Sequence, residues 1–177
     1  MTHIVVCGLS DLARAVEKHR ARDMVSLLSP QTPVPPFERL GVDRHLFLEM
    51  HDISNAVDGM AAPDRTHVEN LIAFARNWTR EDPLLIHCWM GISRSTAAAY
   101  ISAMAVNPQL DEQALALELR RRSPSATPNE RLIALADDIL DRRGAMKDAI
   151  KRIGRGAEAA MGRPFILPVD PIIRKDH

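Results

Sequence analysis

Residues 84–99 of the chain have the sequence LLIHCWMGISRSTAAA. Residues 84–87 show no alternation of polar and apolar side chains, which is typical of a central strand that is covered on both faces. The stretch then passes through a short loop containing Gly91 and into a run of small residues that suits a helix packed closely against a sheet. This order of strand, loop and helix is typical of an α/β domain.

Short apolar runs and amphipathic helices alternate along most of the chain, which predicts a four- or five-stranded, mostly parallel sheet with helices on both faces. The other predicted strands are residues 4–7, 24–28 and 45–50. Ser10 is expected to cap the first helix, and four prolines within residues 30–36 favour a rigid loop over a regular element. Apolar residues at helical spacing predict a helix before the fourth strand; they are Val68, Leu71, Ile72 and Ala75.

After residue 94 the pattern is helical. Helices are predicted at residues 95–106 and 110–122, and a short one around Met146. A further helix is predicted between residues 122 and 146, because the sequence TPNE is typical of a helix start. Thr127 would be its cap, Pro128 its first residue and Glu130 the second member of a capping box. Gly144 would lie just beyond its end. Residues 157–177 show little pattern, so we expect a tail of uncertain order there.

The composition excludes several classes of protein. Basic and acidic residues both number 23, so no overall positive field attracts nucleic acid or anionic lipid, and any anion site must be local. No apolar run approaches the roughly 20 residues of a membrane span, and the N-terminal residues do not resemble a signal peptide, which predicts a cytoplasmic protein without a membrane partner. Cys7 and Cys88 are too few for a disulfide framework, and no zinc-site spacing is present, so neither metal nor cofactor is predicted. The sequence does not indicate an oligomeric state.

The loop after Cys88 is predicted to bind a tetrahedral oxyanion. Successive backbone N–H groups and the positive end of a helix dipole converge there, and Gly91 allows backbone angles that other residues resist. Arg94 adds a planar, two-pronged contact to two oxygens of the anion. The predicted substrate-binding residues are Trp89, Met90, Gly91, Ile92, Ser93 and Arg94.

The same positive field favours the thiolate form of Cys88, which makes this residue a candidate nucleophile at neutral pH. A phosphate held by the loop would have its phosphorus in front of the sulfur, which is the geometry for in-line attack and a phosphocysteine intermediate. Ser95 is expected to hydrogen-bond the sulfur and ease its departure. His87 is expected to order the loop from behind.

The pattern His-Cys-x5-Arg-Ser at residues 87–95, with Gly91 and a preceding apolar strand, resembles the signature of the cysteine-dependent protein tyrosine phosphatases, particularly their compact dual-specificity-like branch. The order of elements supports the resemblance over roughly residues 1–143. It implies a single catalytic domain at residues 1–156 and a phosphoric monoester hydrolase that works through a cysteinyl-phosphate without metal.

The resemblance also implies an aspartate, on a mobile loop upstream of the cysteine, that protonates the leaving oxygen and later activates water. Such an acid typically contributes about 10²- to 10⁴-fold in rate. Asp52 lies 36 residues before Cys88 at a strand end, and Asp58 lies 30 residues before it, beside the possible hinge Gly59. We favour Asp52, because a strand end positions a side chain better than the middle of a loop. Neither aspartate follows the Trp-Pro pair that many strict tyrosine phosphatases carry.

The signature loop contains no lysine and no second arginine, which disfavours inositol polyphosphates and phosphoinositides as substrates. No long insertion is evident of the kind that deepens the pocket of strict tyrosine phosphatases. The expected substrate is therefore a phosphorylated protein, carrying phosphotyrosine above all or phosphoserine and phosphothreonine, or a small phosphomonoester.

Other functions remain open at this level. If neither Asp52 nor Asp58 reaches the leaving group, the chain would be a phosphate-binding pseudophosphatase module. A sulfur transferase of the rhodanese kind also carries a cysteine on a loop after a strand, although Ser95 would then have no role. Arsenate reductases and low-molecular-weight phosphatases place their cysteine loop near the N-terminus, so both are less favoured.

Several of these residues also have purely structural interpretations. Cys7 is read as a core thiol, with a disulfide to Cys88 under oxidation as an alternative. Trp89 is either a lip of the pocket or packed against a neighbouring loop. The run at residues 120–122 is read as a solvated helix end. Asn129 lies in the sequence SATPN, which resembles a segment near the site in the family, but a helix cap explains it completely.

Overall fold

The computed structural model describes residues 2–170 and contains one five-stranded sheet with the strand order β3-β2-β4-β1-β5. The strands are β1 at His3–Gly8, β2 at Asp23–Leu28, β3 at Arg44–Glu49, β4 at Leu84–Cys88 and β5 at Phe165–Pro168. The first four run parallel, and β5 pairs antiparallel with β1 at the sheet edge. The prediction of an α/β fold with a mostly parallel sheet is therefore confirmed.

Strand β4 occupies the centre of the sheet, between β2 and β1, and all five of its residues are buried. Its central position explains why the sequence of this strand lacks polar alternation. The carboxyl ends of the four parallel strands meet at one edge, where Gly8 of β1 is in register with Cys88 of β4. Ligands of open α/β sheets bind outside this edge.

Within residues 2–170, six α-helices cover the two faces of the sheet unequally. They are α1 at Leu12–His19, α2 at Arg65–Arg76, α3 at Arg94–Val106, α4 at Glu112–Arg122, α5 at Glu130–Ile139 and α6 at Ala145–Ile153. One face is covered by α1 and by the 3-10 turn Phe37–Leu40, and the other carries the larger core formed with α2 to α6. Helix α3 is buried on almost every side, because its alanines allow neighbouring elements to approach closely.

Two predicted helix caps are wrong. Leu9–Asp11 forms a 3-10 turn, so α1 begins at Leu12 and Ser10 does not cap it. Helix α5 is capped by Asn129, whose side chain accepts a hydrogen bond from the Leu132 N–H, and Thr127 lies two residues outside the helix.

Tertiary contacts explain the second error. The N–H of Thr127 donates to the Ile92 carbonyl at 2.9 Å, and its hydroxyl accepts from the Gly156 N–H at 3.1 Å, so this side chain joins loops instead of capping a helix. Helix α5 ends at Ile139, and Gly144 is the cap of α6 rather than the residue that follows α5.

Strand β5 lies in the segment to which the sequence assigned no regular element. Its pairing runs from His3 opposite Pro168 to Val6 opposite Phe165, and Leu167 is fully buried in the larger core. Four residues are too few to show a clear period in the sequence. The division of the chain at residue 156 stays a prediction, although residues 165–168 belong to the sheet; the last seven residues of the predicted tail lie outside the described range.

Candidate active site

Cys88 lies at the end of β4, only 2% exposed, in the wall of a cleft of about 610 Å³. The Gly91 N–H donates to its Sγ at 3.2 Å, and the Ser95 Oγ lies 3.1 Å from the same sulfur. The sulfur is thus contacted by a backbone amide of its own loop and by a hydroxyl group of α3. Ser95 lies in the position predicted for a residue that assists the release of sulfur.

The loop that follows Cys88 turns its carbonyl groups outward. Four of them accept hydrogen bonds from other segments: Trp89 from the Leu9 N–H at 3.1 Å, Met90 from Gly162 at 2.8 Å, Ile92 from Thr127 at 2.9 Å and Ser93 from Asn129 at 3.3 Å. Because a trans peptide group is planar, an outward C=O places the next N–H inward.

It follows that four N–H groups of the loop point toward the cleft, namely those of Met90, Gly91, Ser93 and Arg94. The contact of the Gly91 N–H with the sulfur agrees with it. Converging amides at the start of a helix form a site for an oxyanion, which is the property predicted for this loop.

Glycine is required twice around this loop. Gly91 has φ of +71°, and a Cβ there would lie 2.7 Å from the backbone nitrogen of Gly8. A Cβ on Gly162 would lie 2.5 Å from the Gly91 carbonyl oxygen. The signature loop is thus enclosed between the end of β1 and a segment close to the C-terminus.

Arg94 opens α3 and is 5% exposed in the wall of the cleft. Its Nη1 donates to the Met50 carbonyl at 2.7 Å and to the Ser29 hydroxyl at 3.1 Å. Its buried Nε has no hydrogen-bond partner among residues 2–170. The guanidinium group is therefore held in place by the ends of two neighbouring strands while it keeps a donor for a ligand.

Asp52 lines the same cleft as Cys88, whereas Asp58 lies in an exposed turn and does not line it. The Asp52 Oδ1 accepts hydrogen bonds from the Ser93 hydroxyl at 2.8 Å and from the Asn129 side-chain amide at 2.9 Å. Its Oδ2 makes no hydrogen bond within the described part of the chain. Of the two candidate acids, only Asp52 lies in the same cleft as Cys88.

Asn129 contacts this site, although the sequence analysis preferred helix capping as its complete explanation. Capping of α5 uses only its Oδ1, which accepts from the Leu132 N–H at 3.0 Å. An asparagine amide has two further donors, and one of them reaches Asp52. The unused donors were the available signal, but the approach to Asp52 depends on the tertiary fold.

His87 is fully buried on the sheet face opposite Cys88. Its Nε2 lies 2.6 Å from the Ser26 hydroxyl, which lies 2.8 Å from the Nε2 of His45. Burial lowers the pKa of His87 to about 4, so the ring is neutral near pH 7. Its side-chain hydrogen bond is to Ser26 of β2, so the expectation that His87 orders the signature loop stays a prediction.

Cys7 belongs to the smaller apolar cluster beside α1, whereas Cys88 belongs to the larger core on the other face of the sheet. Burial, together with the negative charge of Asp11 and the nearby Cys88, raises the pKa of Cys7 to about 12. Both cysteines are free. The arrangement fits the interpretation of Cys7 as a core thiol.

The mouth of the cleft combines an apolar lip with a wall that the sequence did not indicate. Trp89 and Met90 are 49% and 39% exposed, so Trp89 is a lip of the cleft rather than a packed residue.

The wall consists of residues 155–159. Arg120 supports it by donating to the carbonyls of Ile153 and Gly154 at 2.7 and 2.8 Å. The prediction of a merely solvated helix end is therefore wrong for Arg120.

Within residues 2–170 there is no cluster of three side chains able to hold a metal ion. In the same part of the chain, no helix combines the length and the apolar character needed to cross a bilayer.

The fold is that of the protein tyrosine and dual-specificity phosphatases, as the sequence resemblance predicted. Three solved structures illustrate it. Cydia pomonella PTP-2 phosphatase has a TM-score of 0.57 and 22% identity over 75% of this chain and 83% of its own. Human DUSP28 has a TM-score of 0.56 and 23% identity over 78% and 89%. A mouse protein assigned to the dual-specificity phosphatases, in complex with zinc tungstate, has a TM-score of 0.54 and 20% identity over 78% and 80%. No family model matches the sequence, and no curated protein matches it either.

Proposed function

We propose that this chain is a cysteine-dependent phosphatase that hydrolyses phosphomonoesters, above all phosphotyrosine in proteins, through a phosphocysteine. The observation that carries the proposal is the placement of the Cys88 sulfur among the inward amides of its loop, in one cleft with Arg94 and Asp52. The tungstate complex of the mouse neighbour adds support, because tungstate is a tetrahedral oxyanion like phosphate.

In the first step the Cys88 thiolate attacks phosphorus and the ester P–O bond breaks. The electron pair of that bond goes to the leaving oxygen, which takes a proton from Asp52. Arg94 and the loop amides hold the three remaining phosphoryl oxygens. In the second step a water molecule attacks phosphorus and gives its proton to Asp52, and the P–S bond breaks. Sulfur leaves as a thiolate, stabilised by Ser95 and the Gly91 N–H, and inorganic phosphate is released.

The apolar lip supports an aromatic leaving group. Trp89 and Met90 are exposed where the leaving group must exit, and an indole ring stacks well on a phenyl ring. Phosphotyrosine places a phenyl ring there, whereas phosphoserine and phosphothreonine do not. The cytoplasmic location predicted from the sequence is part of this proposal, because a nucleophilic cysteine stays reduced in a reducing compartment.

One observation favours the pseudophosphatase alternative. The Ser93 hydroxyl and the Asn129 amide both donate to the Oδ1 of Asp52, and these two contacts restrain the side chain and can keep it from reaching the leaving group. A phosphate-binding module would then keep the loop intact and lose the turnover.

Hydrolysis of para-nitrophenyl phosphate tests the proposal. We expect activity that resists chelators, is inhibited by vanadate and disappears in Cys88→Ser. Persistent hydrolysis by Cys88→Ser would refute the mechanism. Negligible turnover with intact binding of vanadate would establish the binding module, and cyanide-dependent thiocyanate formation would establish the sulfur transferase.

The acid is identified by comparing leaving groups. Asp52→Asn is expected to lower kcat by about 10²- to 10⁴-fold on phosphotyrosine, and less on para-nitrophenyl phosphate, whose leaving group needs no proton. Asp58→Asn is the matched control and should stay within about twofold of wild type on both substrates. Equal losses on both substrates in Asp52→Asn would argue against its role as the acid.

A further inference from the structure

A segment close to the C-terminus forms one wall of the catalytic cleft. We call residues 154–163 the strap. At its start, the Gly154 carbonyl accepts from Arg120 at 2.8 Å, and the Ala157 N–H donates to the Pro124 carbonyl at 2.9 Å. At its end, the Gly162 N–H donates to the Met90 carbonyl at 2.8 Å. The strap is therefore attached at both ends to elements that surround the signature loop.

Arg155 lies between two fixed points of the strap. Gly154 before it is held by Arg120, and Gly156 after it donates to the Thr127 hydroxyl at 3.1 Å. Thr127 in turn donates its own N–H to the Ile92 carbonyl of the signature loop at 2.9 Å. The backbone of Arg155 is thus positioned relative to the loop through two consecutive hydrogen bonds.

Arg155 and Arg94 are the two cationic residues among those lining the cleft. Arg94 is nearly buried and committed to the oxyanion site, whereas Arg155 is exposed and makes no ion pair or hydrogen bond within residues 2–170. The acidic lining residues are Asp52, which is held by Ser93 and Asn129, and Glu158, which lies on the strap itself. A free guanidinium group therefore faces substrate at the rim of the cleft.

We propose that Arg155 binds a second anionic group of the substrate, the carboxylate of an acidic residue that flanks the phosphorylated residue of a protein. A guanidinium group matches a carboxylate with two parallel hydrogen bonds. Glu158 on the same wall offsets part of the positive charge, which suits a singly charged carboxylate better than a second phosphate dianion. This inference rests on the proposed phosphatase function and specifies its substrate class.

The test compares two phosphotyrosine peptides that differ only in their flanking residues, glutamate on both sides in one and glutamine in the other. Wild type is expected to show a kcat/KM about three- to tenfold higher on the acidic peptide. Arg155→Gln should remove this preference and leave hydrolysis of para-nitrophenyl phosphate unchanged. Arg152→Gln is the matched control, because it removes the same charge from an exposed position outside the cleft. It should retain the preference.

Two further variants test whether charge attraction causes the preference for the acidic peptide. Arg155→Lys keeps the charge but loses the two-pronged contact, so it should keep only part of the preference. Glu158→Gln removes the competing carboxylate, so its preference for the acidic peptide should be larger than that of the wild type. The preference should also shrink as salt is raised, because exposed charges are screened.

Each outcome has one meaning. Hydrolysis of para-nitrophenyl phosphate with no difference between the two peptides, or an equal preference in Arg155→Gln, overturns the Arg155 proposal and leaves the phosphatase function standing. A larger, Arg155-dependent gain on a doubly phosphorylated peptide than on the acidic one also overturns it, in favour of a second phosphate. Absence of all hydrolysis contradicts the proposed function instead.

Discussion

Among the histidines of residues 2–170, His87 is the one whose pKa changes most on folding. Burial lowers its pKa from 6.5 to about 4, so the folded protein binds a proton at this site less readily than the unfolded chain does. The stabilising effect of the neutral ring is complete above pH 6.5 and is lost as the pH falls toward 4. The shift corresponds to roughly 3 kcal/mol over that window.

We therefore expect the free energy of unfolding to fall between pH 6.5 and 4, measured by urea titration at several pH values. His87→Gln should be less stable at pH 7 but should show a shallower decline with pH. His45 and His19 also have a pKa lowered by burial, so part of the slope should remain. An unchanged slope in His87→Gln would show that the buried ring is not responsible.

The two cysteines should differ in reactivity. Burial raises the pKa of Cys7 to about 12, and its side chain lies on the sheet face away from the cleft. Iodoacetamide at pH 7 should label Cys88 alone, and vanadate should block the labelling. Peptide mass spectrometry measures this directly. Peroxide should not produce a Cys7–Cys88 disulfide, because the two thiols point to opposite faces; recovery of that disulfide would contradict the arrangement.

At the level of elements, the signature loop is shaped by segments that are distant in sequence. Its outward carbonyls are held by the β1–α1 junction, by the segment before α5 and by the strap. Its amides are therefore preorganised by tertiary contacts, and catalysis should be sensitive to changes outside the signature.

Gly162→Ala tests this dependence. The new Cβ would lie 2.5 Å from the Gly91 carbonyl oxygen, so the loop or the strap must move. We expect kcat/KM for para-nitrophenyl phosphate to fall about ten- to a hundredfold, because small displacements of catalytic donors are costly. Weaker inhibition by vanadate should accompany the loss.

Ala160→Ser is the matched control for Gly162→Ala. It adds one atom to an exposed strap position that does not line the cleft, and its activity should match wild type. Activity of Gly162→Ala within twofold of wild type would show that the strap does not shape the loop.

At the level of the whole molecule, β5 joins the C-terminal segment to the sheet and closes the β1 edge. Leu167 of β5 is fully buried in the larger core, next to residues of α4 and β1. The described part of the tail should therefore unfold together with the rest of the domain.

Leu167→Ala should lower the free energy of unfolding by about 2–5 kcal/mol, as measured in urea by both tryptophan fluorescence and far-UV circular dichroism. The two signals should change together. Ile166→Ala, which is only partly buried on the other face, is the comparison and should cost less. A loss below 0.5 kcal/mol in Leu167→Ala would indicate that β5 is peripheral to the cooperative unit.

Local sequence alone determined the α/β class, four of the five strands and the position of the signature loop between β4 and α3. The strands and helices could be predicted because their periods extend over only a few residues. The loop could be predicted because Cys88, Arg94 and Ser95 lie within eight consecutive positions. Only the tertiary structure decided that Asp52 rather than Asp58 lines the cleft, that Asn129 holds it, and that residues 155–159 form a wall. These residues are separated from the loop by tens of positions, and their approach depends on the order of strands and the path of the chain, which no local period encodes.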